Sequence, residues 1–255
     1  MRMLVIGGLA YYLWLLLAAL FLVLGWWLFR NKSQTWQIRL LFGMTVFAWV
    51  VHFSRYWLDP DLRTYTLFFE DLCGFNTMLY PFLFLSKNKV SKDIMFFVGM
   101  VFASHSLFYP NNIDGDPIWY FNTIRFFLAH FILVAVPLWM VLWGRHVPSW
   151  RNIPYMIVYV LIGALYSFSL SVFLKELGFV SYYKNYMGLW GNERSVYRIF
   201  EAVAPMFRYT DVVGGVEVSK PIPYVYMIPG LILFYVPVWT LMSLPFWRKQ
   251  PSDLT

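Results

Sequence analysis

Seven long apolar stretches, each bounded by polar residues, divide the chain. They run Leu4–Leu28, Leu40–Trp57, Tyr65–Leu85, Ile94–Tyr109, Ile118–Trp143, Ile153–Leu174 and Pro223–Trp247. A helix crossing lipid needs about 20 mostly apolar residues, within a range of ~17–25. Backbone in lipid must satisfy its own hydrogen bonds, which leaves helices or closed barrels. A barrel would show alternating strands of about ten residues instead of continuous apolar runs. The pattern therefore predicts an all-α polytopic membrane protein with seven transmembrane helices. The first stretch is too long for a signal-peptide core, and Arg30 with Lys32 follow it as a stop, so it is expected to stay in the mature protein.

The connecting segments give a direction. Arg30, Lys32 and Arg39 lie between spans one and two, Lys87, Lys89 and Lys92 between three and four, and Arg145 with Arg151 between five and six. Arg248 and Lys249 follow span seven. The alternate loops carry Asp59, Asp61 and Arg63, then Asp114 and Asp116. By the positive-inside rule the N-terminus is outside and the C-terminus cytoplasmic. Residues 175–222, between helices six and seven, are too polar to span and fall outside as a small extracytoplasmic cap or loop. Val196, Ile199, Phe200 and Val203 are spaced as the apolar face of a short interfacial helix, with Ser195 as N-cap. Val212 to Val218, centred on Gly214-Gly215, predicts a hairpin.

Composition agrees. Of 255 residues, 60% are hydrophobic and 13% charged, against about 25% charged in soluble domains. Disorder, a nucleic-acid-binding module and a disulfide scaffold are all excluded. The net charge of +7 is spread between loops, so it bears on topology and anionic lipid headgroups. Membrane lipid is the expected partner. A protein partner would engage residues 175–222 or the lipid face. The single cysteine, Cys73, rules out an internal disulfide and a Cys-rich metal site.

An ionisable residue within a span is a functional-site hypothesis by default. These are His52 and Arg55 on span two, Glu70 and Asp71 on span three, His105 on span four, and Arg125 and His130 on span five. At ~1.5 Å per residue, Cys73 lies roughly 12 Å, Arg125 roughly 10 Å and His130 roughly 18 Å from the outer ends of their spans. All of them fall in the outer half, as an outward-opening polar cavity requires. Glu70, Cys73 and Asn76 form one stripe. An imidazole that takes a thiol proton turns an inert cysteine into a nucleophile, so Cys73 with His130 fits acyl transfer from a lipid ester. Arg125 and Arg55 would hold an anion or stabilise developing charge. Asn76 would orient a carbonyl, Glu70 and Asp71 would pair with the arginines, and His52 would line the cavity. No histidine pair has the i, i+4 spacing of a helical metal site, so neither metal nor cofactor is expected. No inner-half polar residue completes an ion pathway. The residues alone equally allow a non-catalytic lipid-binding or partner-binding subunit of a larger complex.

Asp71-Leu72-Cys73, the stretch Phe97 to Pro110, Arg125-Phe126-Phe127-Leu128-Ala129-His130, Asn185-Tyr186-Met187 and Lys220-Pro221 occur in an order that resembles the YwaF-type bacterial integral membrane proteins. The resemblance covers about Leu40 to Trp247. That family is similar to an animal transmembrane acyltransferase of ether-phospholipid metabolism, and more distantly to membrane hydrolases of fatty-acid esters. It implies a Cys or Thr nucleophile with a His partner, here Cys73 and His130, in a bacterial plasma membrane. Asp71 stands where the family has a His. An acid there opposes thiolate formation unless an arginine neutralises it.

Overall fold

The computed structural model describes residues 3–58, 71–110, 113–183 and 206–249. Its elements in order are α1 (Leu9–Phe29), α2 (Gln34–Phe53), a short turn α3 (Arg55–Leu58), α4 (Leu72–Leu85) and α5 (Lys89–Asp93). A π-helical stretch (Ile94–Gly99) leads into α6 (Met100–Phe108) and α7 (Phe121–Leu142). Then come α8 (Ile153–Glu176), the strands β1 (Arg208–Val213) and β2 (Val216–Pro221), and α9 (Met227–Ser243). The protein is mostly helical. Five stretches are long and apolar enough to cross a membrane: Leu9–Phe29, Gln34–Phe53, Phe121–Leu142, Trp150–Glu176 and Met227–Trp247.

The other two expected spans look different for identifiable reasons. The described part of the third is α4, which starts only at Leu72. Glu70 and the earlier part of that span lie outside the described residues. The fourth begins before Ile94, because Asn88 caps α5 by accepting the Val90 N–H at 2.9 Å. From Lys89 to Phe108 the chain stays helical through α5, the π-helical stretch and α6. At ~1.5 Å per residue its roughly 20 residues reach ~30 Å, the thickness of a hydrocarbon core. The second span also starts early, at a Ser33 cap, and ends at Phe53. Arg55 therefore opens the separate turn α3, beyond Ser54 and off the helix that carries His52.

The described chain forms two compact units. The first holds α1 to α7. Its centre is α7, buried along most of its length from Thr123 to Met140, as expected of a helix apolar all round. Helix α1 packs on it through Trp14, stacked on Phe127 with ring centroids 4.7 Å apart. Trp139 lies over Gly25, where any Cβ would overlap its indole, and donates its Nε1–H to the Leu22 carbonyl at 3.1 Å. The opposite face of α1, with Leu13, Leu16, Leu17, Leu20 and Leu24, stays exposed, as a lipid-facing surface does. The segment before α1 is strapped to the α6–α7 connection. Leu4 N–H donates to the Asp116 carbonyl at 2.7 Å, and Gly115 N–H returns a bond to the Leu4 carbonyl at 2.8 Å.

Proline shapes the core of this unit. Pro137 lacks an N–H, so the Leu133 carbonyl four residues back loses its helical donor. The fully buried Tyr80 hydroxyl on α4 lies 2.9 Å from that carbonyl and 3.1 Å from the Met95 carbonyl of the π-helical stretch. One hydroxyl has one proton. Met95 already accepts the Met100 N–H, so Leu133 is the acceptor in greater need. Gly99 makes room, since a Cβ there would overlap the Tyr80 hydroxyl.

The second unit holds α8, the hairpin and α9, with Asp71 and Leu72. Gly163, Ser167 and Ser171 are buried at four-residue spacing on α8, against which α9 packs. Small residues at that spacing let membrane helices approach closely. Tyr224, at φ 66°, donates its hydroxyl to the Leu161 carbonyl at 3.2 Å. The hairpin forms where Gly214-Gly215 predicts it: both glycines have positive φ, 62° and 84°, as a tight hairpin turn requires. Lys220 donates to Asp211 across the strands at 2.6 Å. The expected helix at Val196–Val203 lies outside the described residues.

Two predictions follow from these contacts. Gly99→Ala should destabilise the protein by about 1–3 kcal/mol through overpacking. Paired with Tyr80→Phe it should cost less than the sum of the two single changes, because the second change removes the atom the first one meets. Thermal unfolding of the four proteins in detergent tests this, and strict additivity would contradict it. In the hairpin, the hydrogen bond and charge of Lys220 hold the Asp211 carboxyl below its ordinary range. Any stabilisation from Asp211 is then present above the ordinary carboxylate pKa and lost as pH falls through the lowered one. An NMR titration of the Asp211 carboxyl should show that lowered midpoint, and Lys220→Met should return it to the ordinary range.

Candidate functional site

Two contacts fix the levels of the helices around the thiol. Tyr80 meets Met95 near one end of the α5–α6 segment, and Cys73 meets Ser106 near the other. Helices α4 and α6 are therefore antiparallel. The connection at residues 109–120 turns the chain back, so α7 runs in the same direction as α4. Counting from the Tyr80–Leu133 bond at ~1.5 Å per residue, Cys73 lies roughly 10 Å and His130 roughly 5 Å toward the α6–α7 connection. On that scale the Arg125 backbone is nearly level with Cys73, and His130 lies about one turn deeper.

Cys73 is the second residue of α4 and is buried at 8% exposure. It therefore occupies the first turn, where backbone N–H groups lack helical acceptors and the helix dipole is positive. That is an environment in which thiols become nucleophilic. Its Sγ lies 3.5 Å from the Ser106 Oγ of α6, within hydrogen-bond range for sulfur. The carbonyl of Cys73 accepts the Thr77 hydroxyl at 2.8 Å.

His130 is buried on α7, its ring against Phe126 with centroids 4.1 Å apart. Its Nδ1 lies 2.6 Å from the Phe126 carbonyl. A carbonyl only accepts, so Nδ1 carries the proton and donates. In the neutral ring Nε2 then holds the lone pair, the state a general base needs. Asn76 is fully buried, one turn along α4 from Cys73. His52 is buried near the end of α2 with its ring edge-on to Phe53. Arg125 and Arg55 are half-buried, and the Nε of each is shielded from outside. Asp71, half-buried, stands in a bend one residue before α4. Glu70 lies outside the described residues. The first unit thus holds the thiol, both arginines, Asn76, His52 and His130, and it pairs the thiol with a hydroxyl. Among the described residues no group of three His, Cys, Asp or Glu side chains is arranged to hold a metal.

A model of the TMEM164 family matches residues 6–243. The chain belongs to the TMEM164 family. No curated protein and no solved structure matches it. The matched region takes in every described helix of this TMEM164-family membrane protein except the outermost turns of the chain, and all the candidate site residues.

Sequence reasoning missed two features of this TMEM164-family protein. One is Ser106, a small polar residue inside an apolar run with no pattern to single it out. The other is a buried pair away from the thiol. His146 Nε2 lies 2.7 Å from Asp93 Oδ1, and their side chains are 6% and 1% exposed. Both residues lie just outside the apolar stretches Ile94–Tyr109 and Ile118–Trp143, within which the ionisable candidates of those spans fall. Asp93 directly precedes the π-helical stretch, and His146 follows the end of α7. Gly144, at φ 68°, turns the chain so that the Arg145 and His146 N–H groups both reach the Met140 carbonyl. Arg145 donates to Gln37 Oε1 through Nε and Nη2, at 3.0 and 2.8 Å. The Gln37 amide donates in turn to the Phe29 and Arg30 carbonyls at the end of α1, both at 3.0 Å. Loop composition hid this, because both residues sit among charges that a solvated loop would carry. Asp93 as the lone acid beside Lys87, Lys89 and Lys92 was the available signal.

Breaking a buried charged pair from one side costs about 3–5 kcal/mol. His146→Ala should approach that loss in detergent unfolding. Asp93→Asn, which keeps an acceptor oxygen for Nε2–H, should cost clearly less. Equal losses would mean that the acceptor oxygen kept by asparagine does not preserve the bond to the imidazole.

Proposed function

We propose that this TMEM164-family protein is a cysteine-dependent acyltransferase or lipid-ester hydrolase acting on phospholipid acyl chains. The observation that carries the reading is the state of the two reacting groups. Cys73 sits at a helix N-terminus with its sulfur against a hydroxyl. The Nδ1 of His130 donates to the Phe126 carbonyl, which fixes the tautomer whose Nε2 lone pair acts as the base. The likeness of the Asp71–Cys73 and Arg125–His130 segments to the YwaF-type pattern supports the same assignment.

In this reading seven spans form the bundle, with the N-terminus outside, the C-terminus in the cytoplasm and residues 175–222 as an outer cap. The charge alternation of the loops supports that orientation. The membrane is the plasma membrane of a bacterium, the setting of the YwaF-type proteins. The polar groups around Cys73 line a cavity open to the outer leaflet.

The reaction is acyl transfer through a thioester. His130 Nε2 takes the Cys73 thiol proton. The thiolate attacks the ester carbonyl carbon, forming a C–S bond. The ester C–O bond breaks, and the departing alkoxide takes the proton from the imidazolium. An acceptor hydroxyl or water then reverses these steps and frees the acyl chain. Arg125 and Arg55 hold the lipid phosphate, a task for which a guanidinium fork is suited. Asn76 donates to the carbonyl oxygen as it becomes an oxyanion.

Cys73→Ala should abolish covalent labelling by an activity-based, thiol-reactive lipid ester probe, and the parent should label stoichiometrically. Equal labelling of mutant and parent would overturn the catalytic assignment and leave a lipid-binding role.

A further inference from the structure

We infer that Ser106 is a positioning residue for the Cys73 nucleophile: its hydroxyl donates a hydrogen bond to the sulfur once the thiol proton has left. The inference deepens the acyl-transfer reading and rests on it, but it stands on separate observations. Oγ and Sγ are 3.5 Å apart, on two helices whose relative level is fixed elsewhere, where Tyr80 packs against Gly99. Packing of the core therefore sets the contact, and the substrate is not needed to make it. His130, the base in the same reading, lies about one turn deeper by helix counting, while the Ser106 hydroxyl is within hydrogen-bond range of the sulfur. In the resting thiol either atom can donate. After proton transfer the sulfur can only accept, and the serine hydroxyl turns to donate. The interaction thus gains strength as negative charge develops, as catalysis requires of a supporting group.

The charged and titratable groups around this end of the first unit are His52 on α2, Arg55 on α3, exposed His105 on α6, and Arg125 with His130 on α7. Asp71 precedes α4, and Glu70 lies outside the described residues. None of them changes when Ser106 is replaced, so a difference between parent and variant isolates the hydroxyl.

Cys73 is the chain's single cysteine, so alkylation of the purified protein by N-ethylmaleimide reports on it alone. A hydrogen bond to a charged group is worth roughly a factor of ten or more in the thiolate fraction. A less stabilised thiolate is intrinsically more nucleophilic and recovers about a factor of three. Ser106→Ala should therefore alkylate about threefold more slowly at pH 7 and about threefold faster than the parent at a pH where both thiols are fully ionised. Ser106→Thr, which keeps a hydroxyl, should follow the parent curve. Coincident rate–pH curves for parent and Ser106→Ala would overturn the inference, as would Ser106→Thr behaving like Ser106→Ala. Melting temperatures of the variants show that each is folded. The assay needs no ester, so it is independent of the acyl-transfer reading. A shifted curve without lipid-probe labelling supports Ser106 and removes the reaction. Labelling with coincident curves keeps the reaction and removes Ser106.

Discussion

A carbonyl released by a proline inside an apolar bundle has no water to turn to. Leu133 is in that position because of Pro137, and the Tyr80 hydroxyl answers it from another helix. Leaving such a group bare would cost about 1–3 kcal/mol. Satisfying it with a tyrosine has geometric consequences. The ring must pass the α5–α6 segment, so that segment carries Gly99 at the crossing and a π-helical stretch around it. Once Tyr80 is docked, α4 cannot slide or rotate against α6 and α7. Cys73, two turns along α4, is then delivered to a fixed level. The Ser106 contact, and with it the environment of the only thiol, is downstream of a proline on a different helix.

The other end of the first unit shows the same constraint with different residues. Helix ends leave carbonyls without donors. Lys92 donates to the carbonyls of Leu83 and Phe84, the former at 2.8 Å, and Gln37 serves Phe29 and Arg30. Arg145 holds Gln37, and His146 beside it holds Asp93. Lys92 directly, and Arg145 through Gln37, thus serve helix ends as well as reading as topology signals. Their two roles are compatible, because a cation near a helix C-terminus is favourable on either account.

The sequence revealed what depends on apolar length and on glycine. All the long helices, the return of the chain at Gly214-Gly215 and the membrane class follow from patterns that one segment carries by itself. Cys73, His130 and Arg125 could be picked out because ionisable or nucleophilic groups are rare in apolar runs. Ser106 could not, since serine is common in membrane helices and its meaning comes from what lies opposite. The same holds for Tyr80, an ordinary aromatic until Pro137 on another helix frees its acceptor. Hydropathy does not register a helix boundary within an apolar stretch, so the start of α4 at Leu72 is not legible in the sequence. That boundary matters chemically, since it puts Cys73 in the first turn of a helix.

Polar groups in this protein divide by what they are bonded to. Tyr80, Gln37, Lys92 and the Asp93–His146 pair each meet a backbone carbonyl or a fixed opposite partner, and their bonds complete the fold. Their protons have no reason to move. Cys73 and His130 differ. The sulfur faces a hydroxyl that can either donate or accept, and the imidazole donates to the backbone through Nδ1, the tautomer in which Nε2 carries the lone pair. Chemistry needs groups whose proton inventory can change without breaking the structure. By that criterion reactivity belongs at the Cys73 end of the first unit, although the Asp93–His146 pair is the more tightly joined.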